Sequence, residues 1–212
     1  MNNFKDISEL RDFVHSCSMC SLKKYARLPV PGAGFFKKRI MLIGEAPGKE
    51  EDIQNAPFVG PAGQLLTKAL TKLAINREDI YITNIVKCRP QNNQTPSDEH
   101  IQICKTILEK EINIIQPETI ICLGKTATNG LLGTKYSIQS VRGKILYYKN
   151  IPVIPTYHPA FLLRNQSKIY KLQFFEDLKK GIKMYDIIHD HDLIQILSIF
   201  DGTISDIMFV DF

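Results

Sequence analysis

The sequence contains no uncharged apolar stretch approaching the roughly 20 residues that span a bilayer. Its start, Met1-Asn2-Asn3-Phe4-Lys5-Asp6, lacks the apolar core of a signal peptide. Together these absences predict an intracellular, soluble protein with no membrane partner, placed in the cytoplasm. Internal repeats, low-complexity tracts and linkers rich in glycine, serine or proline are also missing, which argues against an array or a string of domains. What is present, 212 residues of which 44% are hydrophobic and 23% charged, suffices for one well-buried domain and would be cramped for two. We expect that domain to cover residues 1–185. The remainder, 186–212, is an acidic and apolar extension that matches no motif and is expected to add a helix and an edge strand.

Two nucleotide-binding signatures are missing as well. Gly44-Glu45-Ala46-Pro47-Gly48 follows an apolar run, yet it has neither the Gly-Lys-Ser/Thr ending of a phosphate-binding loop nor the Gly-x-Gly-x-x-Gly of a dinucleotide fold. Charge excludes less. The net +5 is modest, but Lys23, Lys24, Arg27, Lys37, Lys38 and Arg39 crowd the first forty residues and permit a polyanionic partner.

Arg39 to Gly44 reads as a buried strand ending in a loop, and Ala62 to Leu73 reads as a helix, with Leu65, Leu66, Ala69, Leu70 and Leu73 at helical spacing and Pro61 near its start. The alternation repeats: strand Asp79–Asn84, helix Ser97 to about Ile112, strand Thr119–Leu123, helix Lys125–Leu132. Ser97 and His100 form half a capping box. Lys144–Lys149 and Ile151–Pro155 read as strands around a Lys149-Asn150 turn, and Ile169 to about Met184 reads as a closing helix. The pattern is parallel α/β. Ligands of such sheets bind beyond the carboxyl ends of the strands, so Gly44, Asn84, Gly124 and Thr156-Tyr157-His158 should converge on one crevice.

Five cysteines in a chain of this kind suit metal ligation better than disulfides. Cys17 and Cys20 form a Cys-x-x-Cys pair, Cys88 follows a strand and Cys104 falls in a helix. Cys122 sits inside an apolar strand and reads as a buried thiol. The pair by itself could be a redox motif, half of a zinc site or two unrelated cysteines, and four thiolates suit either zinc or a 4Fe-4S cluster.

Near the crevice, Phe58 is held between proline and Val-Gly, well placed to stack on a planar base. Asn84 offers a donor and an acceptor side by side, which can match the edge of a planar base or satisfy a loop backbone. His158-Pro159-Ala160 supplies an imidazole.

In this order, Gly44-Glu45-Ala46-Pro47-Gly48, Pro57-Phe58-Val59-Gly60, Thr83-Asn84, Lys87-Cys88-Arg89-Pro90 and His158-Pro159-Ala160, with four placed cysteines, closely resemble the family 4 uracil-DNA glycosylases over about Cys17 to Tyr185. That resemblance implies a three-layer α/β/α sandwich with a central, mainly parallel four-stranded sheet. It favours 4Fe-4S over zinc at Cys17, Cys20, Cys88 and Cys104. It implies hydrolysis of the N-glycosidic bond of deoxyuridine in single- and double-stranded DNA by a monomer, in a prokaryotic cell and close to the nucleoid. No segment spells out a protein partner such as a sliding clamp.

By the same resemblance, Gly44, Glu51, Phe58, Asn84 and His158 bind uracil: Phe58 stacks on it, Asn84 reads its edge and Glu51 crowds C5 against thymine's methyl. Glu45 stabilises the cationic sugar or orients the attacking water, and His158 hydrogen-bonds O2 of the departing base. Leu162 and Leu163 form a wedge into the duplex and Arg164 contacts phosphate. Family 5-like enzymes carry an apolar residue where this chain has Glu45. Relatives that trap uracil-DNA covalently carry a basic loop ending in His where this chain has Gln91-Asn92-Asn93-Gln94-Thr95. Both departures point to ordinary turnover.

Overall fold

The computed structural model describes residues 4–165 and 167–189. Strands β1 (Ile40–Gly44), β2 (Tyr81–Asn84), β3 (Thr119–Leu123), β4 (Leu146–Tyr148) and β5 (Ile151–Thr156) form one sheet in the order β2-β1-β3-β5-β4. The helices are α1 (Ile7–Ser16), α2 (Lys49–Gln54), α3 (Pro61–Lys72), α4 (Asp98–Ile115), α5 (Lys125–Leu132), α6 (Ile138–Val141), α7 (Pro159–Arg164) and α8 (Lys168–His189).

Every residue of β1, β2 and β3 is buried, as expected of parallel strands covered on both faces. Alternate residues take opposite faces. Met41, Ile43, Ile120 and Cys122 pack with Leu10 and Val14 of α1, the inner face of α4, and Ala127 and Leu131 of α5. Ile40, Leu42, Ile121 and Leu123 pack with Leu66 and Leu70 of α3, Leu162 of α7, and Phe174, Leu178 and Ile182 of α8. The three-layer α/β/α expectation is met. The strand count is not: the sheet described has five strands, four of them parallel, because Lys149, at φ +55, turns the chain so that β4 pairs antiparallel to β5 as an edge. Three residues long and only half-buried, β4 adds width to the sheet without adding much core.

The capping box at α4 is complete. The Ser97 hydroxyl accepts from His100 N–H at 3.3 Å, and His100 Nδ1 accepts from Ser97 N–H at 3.4 Å. The imidazole takes the place of the usual Glu or Gln. The expected strand at 79–84 begins only at Tyr81, since Arg77–Asp79 is a 3-10 turn capped by the Asn76 side chain. Of the expected extension, residues 186–189 continue α8; the helix and edge strand foreseen farther on lie outside the described residues. Among the described residues no helix is long and apolar enough to cross a membrane.

Chain order reverses at β1, whose neighbours β2 and β3 come from opposite directions of winding. The crevice beyond the carboxyl ends of β1 and β3 is therefore the switch point at which ligands of open parallel sheets bind. Register brings the expected residues level: Gly44 pairs with Asn84, and Leu123 with Thr156.

Candidate active site

A cavity of about 390 Å³ opens at that switch point, lined among others by Glu45, Gly48, Glu51, Phe58, Asn84 and His158. This volume lies in the range of small-ligand sites. Gln94 and Thr95, from the stretch in which a trapping enzyme would carry its basic loop, and Arg164 complete part of the rim.

Asn84 is 2% exposed, and its Oδ1 is buried without a hydrogen-bond partner among the described residues. A buried carbonyl left unpaired costs about 1–3 kcal/mol, so the fold holds an acceptor in reserve at the cavity. The close approach depends on Gly44. A Cβ there would lie 2.4 Å from Asn84 Oδ1 and 2.4 Å from the Phe58 ring. Phe58 itself is buried and adopts φ +54, a conformation uncommon for a bulky residue and found where surrounding structure imposes it.

What imposes it is a set of loop anchors that the linear motifs do not announce. Arg77, from the 3-10 turn before β2, donates to the Pro57 carbonyl and to Thr67 Oγ1. The buried Glu51 carboxylate accepts from Val59 N–H at 2.9 Å and Gly60 N–H at 2.8 Å with one oxygen, and from Gly48 N–H at 3.1 Å with the other. Glu51 thus joins the loop after β1 to the loop that carries Phe58, and its side chain cannot swing away. Helix α2, which carries it, is tied to the amino-terminal arm: Asp52 accepts from Arg27 N–H at 2.9 Å, and Asn55 bonds His15 Nε2 at 2.8 Å.

His158 caps α7 with Pro159 in the first helical position, which accounts for the His-Pro-Ala sequence. Its Nδ1 accepts from Ala160 N–H at 3.1 Å, so the proton of the neutral ring resides on Nε2, free to donate. Burial, helped by the nearby Arg164 cation, pushes its pKa down to about 4. The imidazole is a neutral donor near pH 7. Its ring centroid lies 5.8 Å from that of Phe58. Behind it, Thr156 donates to Asp177 at 2.8 Å, and Arg142 pairs with the same carboxylate, fixing the end of β5.

Helix α7 divides the three residues expected on its DNA face. Leu163 is 43% exposed and Arg164 reaches the cavity rim, whereas Leu162 is 1% exposed and packs in the core. Leu162 is therefore corrected from a surface wedge to a core residue: one turn of helix cannot aim adjacent side chains the same way. The basic cluster Lys37-Lys38-Arg39 is likewise displaced from the site. It precedes β1, at the end of the sheet opposite the crevice, and Lys37 and Arg39 pair with Asp79 and Glu118.

Cys17, Cys20, Cys88 and Cys104 lie in one region of the fold. Cys17 ends α1, Cys20 opens a 3-10 turn, and both pack against the cluster containing Cys88 and Cys104. Among the described residues none of them forms a disulfide. Burial pushes Cys88 up to about 12, with further upward pressure from Cys104, Cys20 and Cys17; burial also raises Cys104, to about 11. Four cysteines drawn from three chain segments into one region, two of them with thiolate forms disfavoured by burial, fit the chemistry of a thiolate-bound group that would supply positive charge there. As they stand, no three His, Cys, Asp or Glu among the described residues are arranged around a single ion position. Cys122, buried in β3, behaves as the expected inert thiol, its pKa raised by burial.

A free amide acceptor beside an aromatic ring and a neutral imidazole donor suits the uptake of a planar heterocycle at the switch point of an α/β sheet. Comparison with known proteins narrows the class. The sequence profile of the Uracil DNA glycosylase superfamily matches residues 31–179. The Type-4 uracil-DNA glycosylase of Thermotoga maritima is 45% identical over 170 residues, which cover 79% of this chain and 88% of that protein. The Type-4 uracil-DNA glycosylase of Saccharolobus solfataricus is 46% identical over 165 residues, covering 74% and 76%. A Type-5 uracil-DNA glycosylase of Pyrobaculum aerophilum is 28% identical over 170 residues, covering 72% and 75%. The chain belongs to the uracil-DNA glycosylase superfamily, and its similarity is greater to the Type-4 than to the Type-5 relative.

Proposed function

We propose that the protein hydrolyses the N-glycosidic bond of deoxyuridine in DNA, releasing uracil and leaving an abasic site. The carrying observation is the buried Oδ1 of Asn84, without a partner among the described residues and set beside Phe58 where Gly44 leaves no room for a side chain. Uracil presents a donor, N3–H, to such an acceptor. Cytosine presents a lone pair at the same position and leaves the acceptor unpaired, a mismatch that binding sites of this kind reject strongly.

The glycosidic bond is inaccessible in stacked DNA, so the nucleotide is extruded into the cavity, at a cost of a few kcal/mol that is smaller at a mismatch. Phe58 supports the base. Glu51 stands against C5, and because three backbone N–H groups hold its carboxylate, it is a wall that thymine's methyl cannot push aside. Cleavage leaves negative charge on the base and positive character on the sugar. His158, neutral and donating from Nε2, stabilises the charge on O2, with N–H groups of the Gly44–Gly48 loop beside it. Glu45, at the rim of the same cavity, stabilises the sugar or orients water. Leu163 fills the space vacated in the duplex and Arg164 holds phosphate.

Cys17, Cys20, Cys88 and Cys104 would hold a 4Fe-4S cluster. When bound, it supplies a covalent clasp between the amino-terminal arm, the segment after β2 and α4, rather than a reaction step.

Excision from labelled single-stranded and duplex oligonucleotides, read by alkaline cleavage beside a thymine control, tests the reading. Cleavage at uracil alone is expected; none by the folded, fully loaded protein would overturn it. Glu45→Ala should slow single-turnover excision by at least about 100-fold with little change in DNA binding.

A further inference from the structure

Lys87 is 1% exposed, an uncommon situation for an ammonium group, and it lies three residues beyond Asn84 and one before Cys88. Each of its three donors is used. Nζ donates to the Asn84 carbonyl at 2.7 Å, to Thr83 Oγ1 at 2.6 Å and to Glu111 Oε2 at 2.7 Å. Glu111, equally buried, also accepts from Tyr81 OH at 3.1 Å and Gly32 N–H at 3.3 Å through Oε1. The backbone N–H of Lys87 meanwhile donates to Cys104 Sγ at 3.3 Å.

A buried ion pair is a poor device for stability, since apolar residues of the same volume do as well or better once desolvation is counted. Its advantage is geometric. The pair fixes where the peptide of Asn84 sits at the end of β2, and hence where the free Oδ1 points. Glu111 and Cys104 lie two turns apart on one face of α4, so Lys87 grips that helix with its side chain and its backbone at once. The base-reading amide and the cysteine site are thereby referred to the same rigid element.

We propose that Lys87, held by Glu111, is a positioning residue that aims Asn84 at the base and ties that aim to the helix carrying Cys104. This rests on the assignment of Asn84 as the base-reading residue. Loss of the ammonium should leave the cavity open and α7 intact, yet weaken recognition of uracil.

The test compares the wild type with Lys87→Met/Glu111→Gln, in which the new amide carbonyl on α4 still accepts from Tyr81 and Gly32 and no buried charge is left alone. A second pair carries the same changes in an Asn84→Ala background. The readouts are single-turnover excision from a uracil-containing oligonucleotide and inhibition by free uracil, well below each protein's melting temperature, with visible absorption recorded throughout. Expected is about a tenfold loss in excision and in uracil affinity, the factor one hydrogen bond of ordinary strength is worth. That loss should vanish in the Asn84→Ala background, because contributions routed through one residue are not additive. Unchanged excision and inhibition, or an equal fractional loss in both backgrounds, would overturn the proposal. Should the double variant not fold, Lys87→Gln alone, with its own Asn84→Ala control, carries the same comparison. A wild type that neither excises nor binds uracil would instead remove the function on which the proposal rests.

Discussion

At the scale of single residues, the site works by denying side chains their usual partners or freedoms. Asn84 keeps an acceptor unpaired among the described residues, Phe58 is held at positive φ, and His158 has surrendered Nδ1 to a helix cap. The last has a consequence for pH. With its pKa lowered from 6.5 to about 4, His158 stays neutral in the folded protein while the unfolded chain takes up a proton below 6.5. Stability from this group is complete above 6.5 and declines as pH falls from there to about 4. Catalysis follows the folded value: single-turnover excision should be level from pH 7 to 5 and drop as pH falls through about 4. A drop centred near 6.5 would mean an ordinary imidazole. The fixed carboxylate of Glu51 gives a second expectation. Glu51→Ala removes three loop anchors and, on the proposed role, the wall at C5, so uracil excision should fall at least tenfold while the ratio of thymine to uracil excision rises. An unchanged ratio in paired assays on U·G and T·G duplexes would place methyl exclusion elsewhere.

At the scale of elements, α7 converts a contiguous motif into divided labour. Leu162 and Leu163 are neighbours in sequence with opposite surroundings, one in the core and one in solvent. Leu162→Ala should lower stability by about 2–5 kcal/mol and affect single-stranded and duplex substrates alike. Leu163→Ala should leave the melting temperature nearly unchanged and reduce duplex excision several-fold more than single-strand excision; equal losses on both substrates would exclude a wedge. Helix α2 shows the converse. Six residues long, it is too short to stand alone, and the amino-terminal arm holds it through Arg27 and His15.

At the scale of the whole molecule, the amino-terminal arm is connected both to the cysteine site and to α2, and α4 connects that site to Asn84 through Lys87 and Glu111. Removing the clasp should therefore be felt throughout. Cys17→Ala should lose visible absorption and lower the melting temperature by at least about 5 °C, the scale of a loss of 2 kcal/mol in a chain of this size. A protein that keeps its colour and melting temperature would refute a clasp at that position.

The sequence alone determined the α/β alternation and the convergence of Gly44, Asn84 and His158, because apolar periodicity and strand-end loops are local properties that parallel topology brings together. It also set Cys122, inside an apolar strand, apart from the other four cysteines. Tertiary structure alone decided the rest. The antiparallel pairing of β4 with β5, the burial of Leu162, and the anchoring of the site by Arg77, Lys87 and Glu111 all depend on which groups meet across elements of the fold. A buried lysine and a solvated one have the same letter; only packing distinguishes them, by whether water or a carboxylate satisfies the charge.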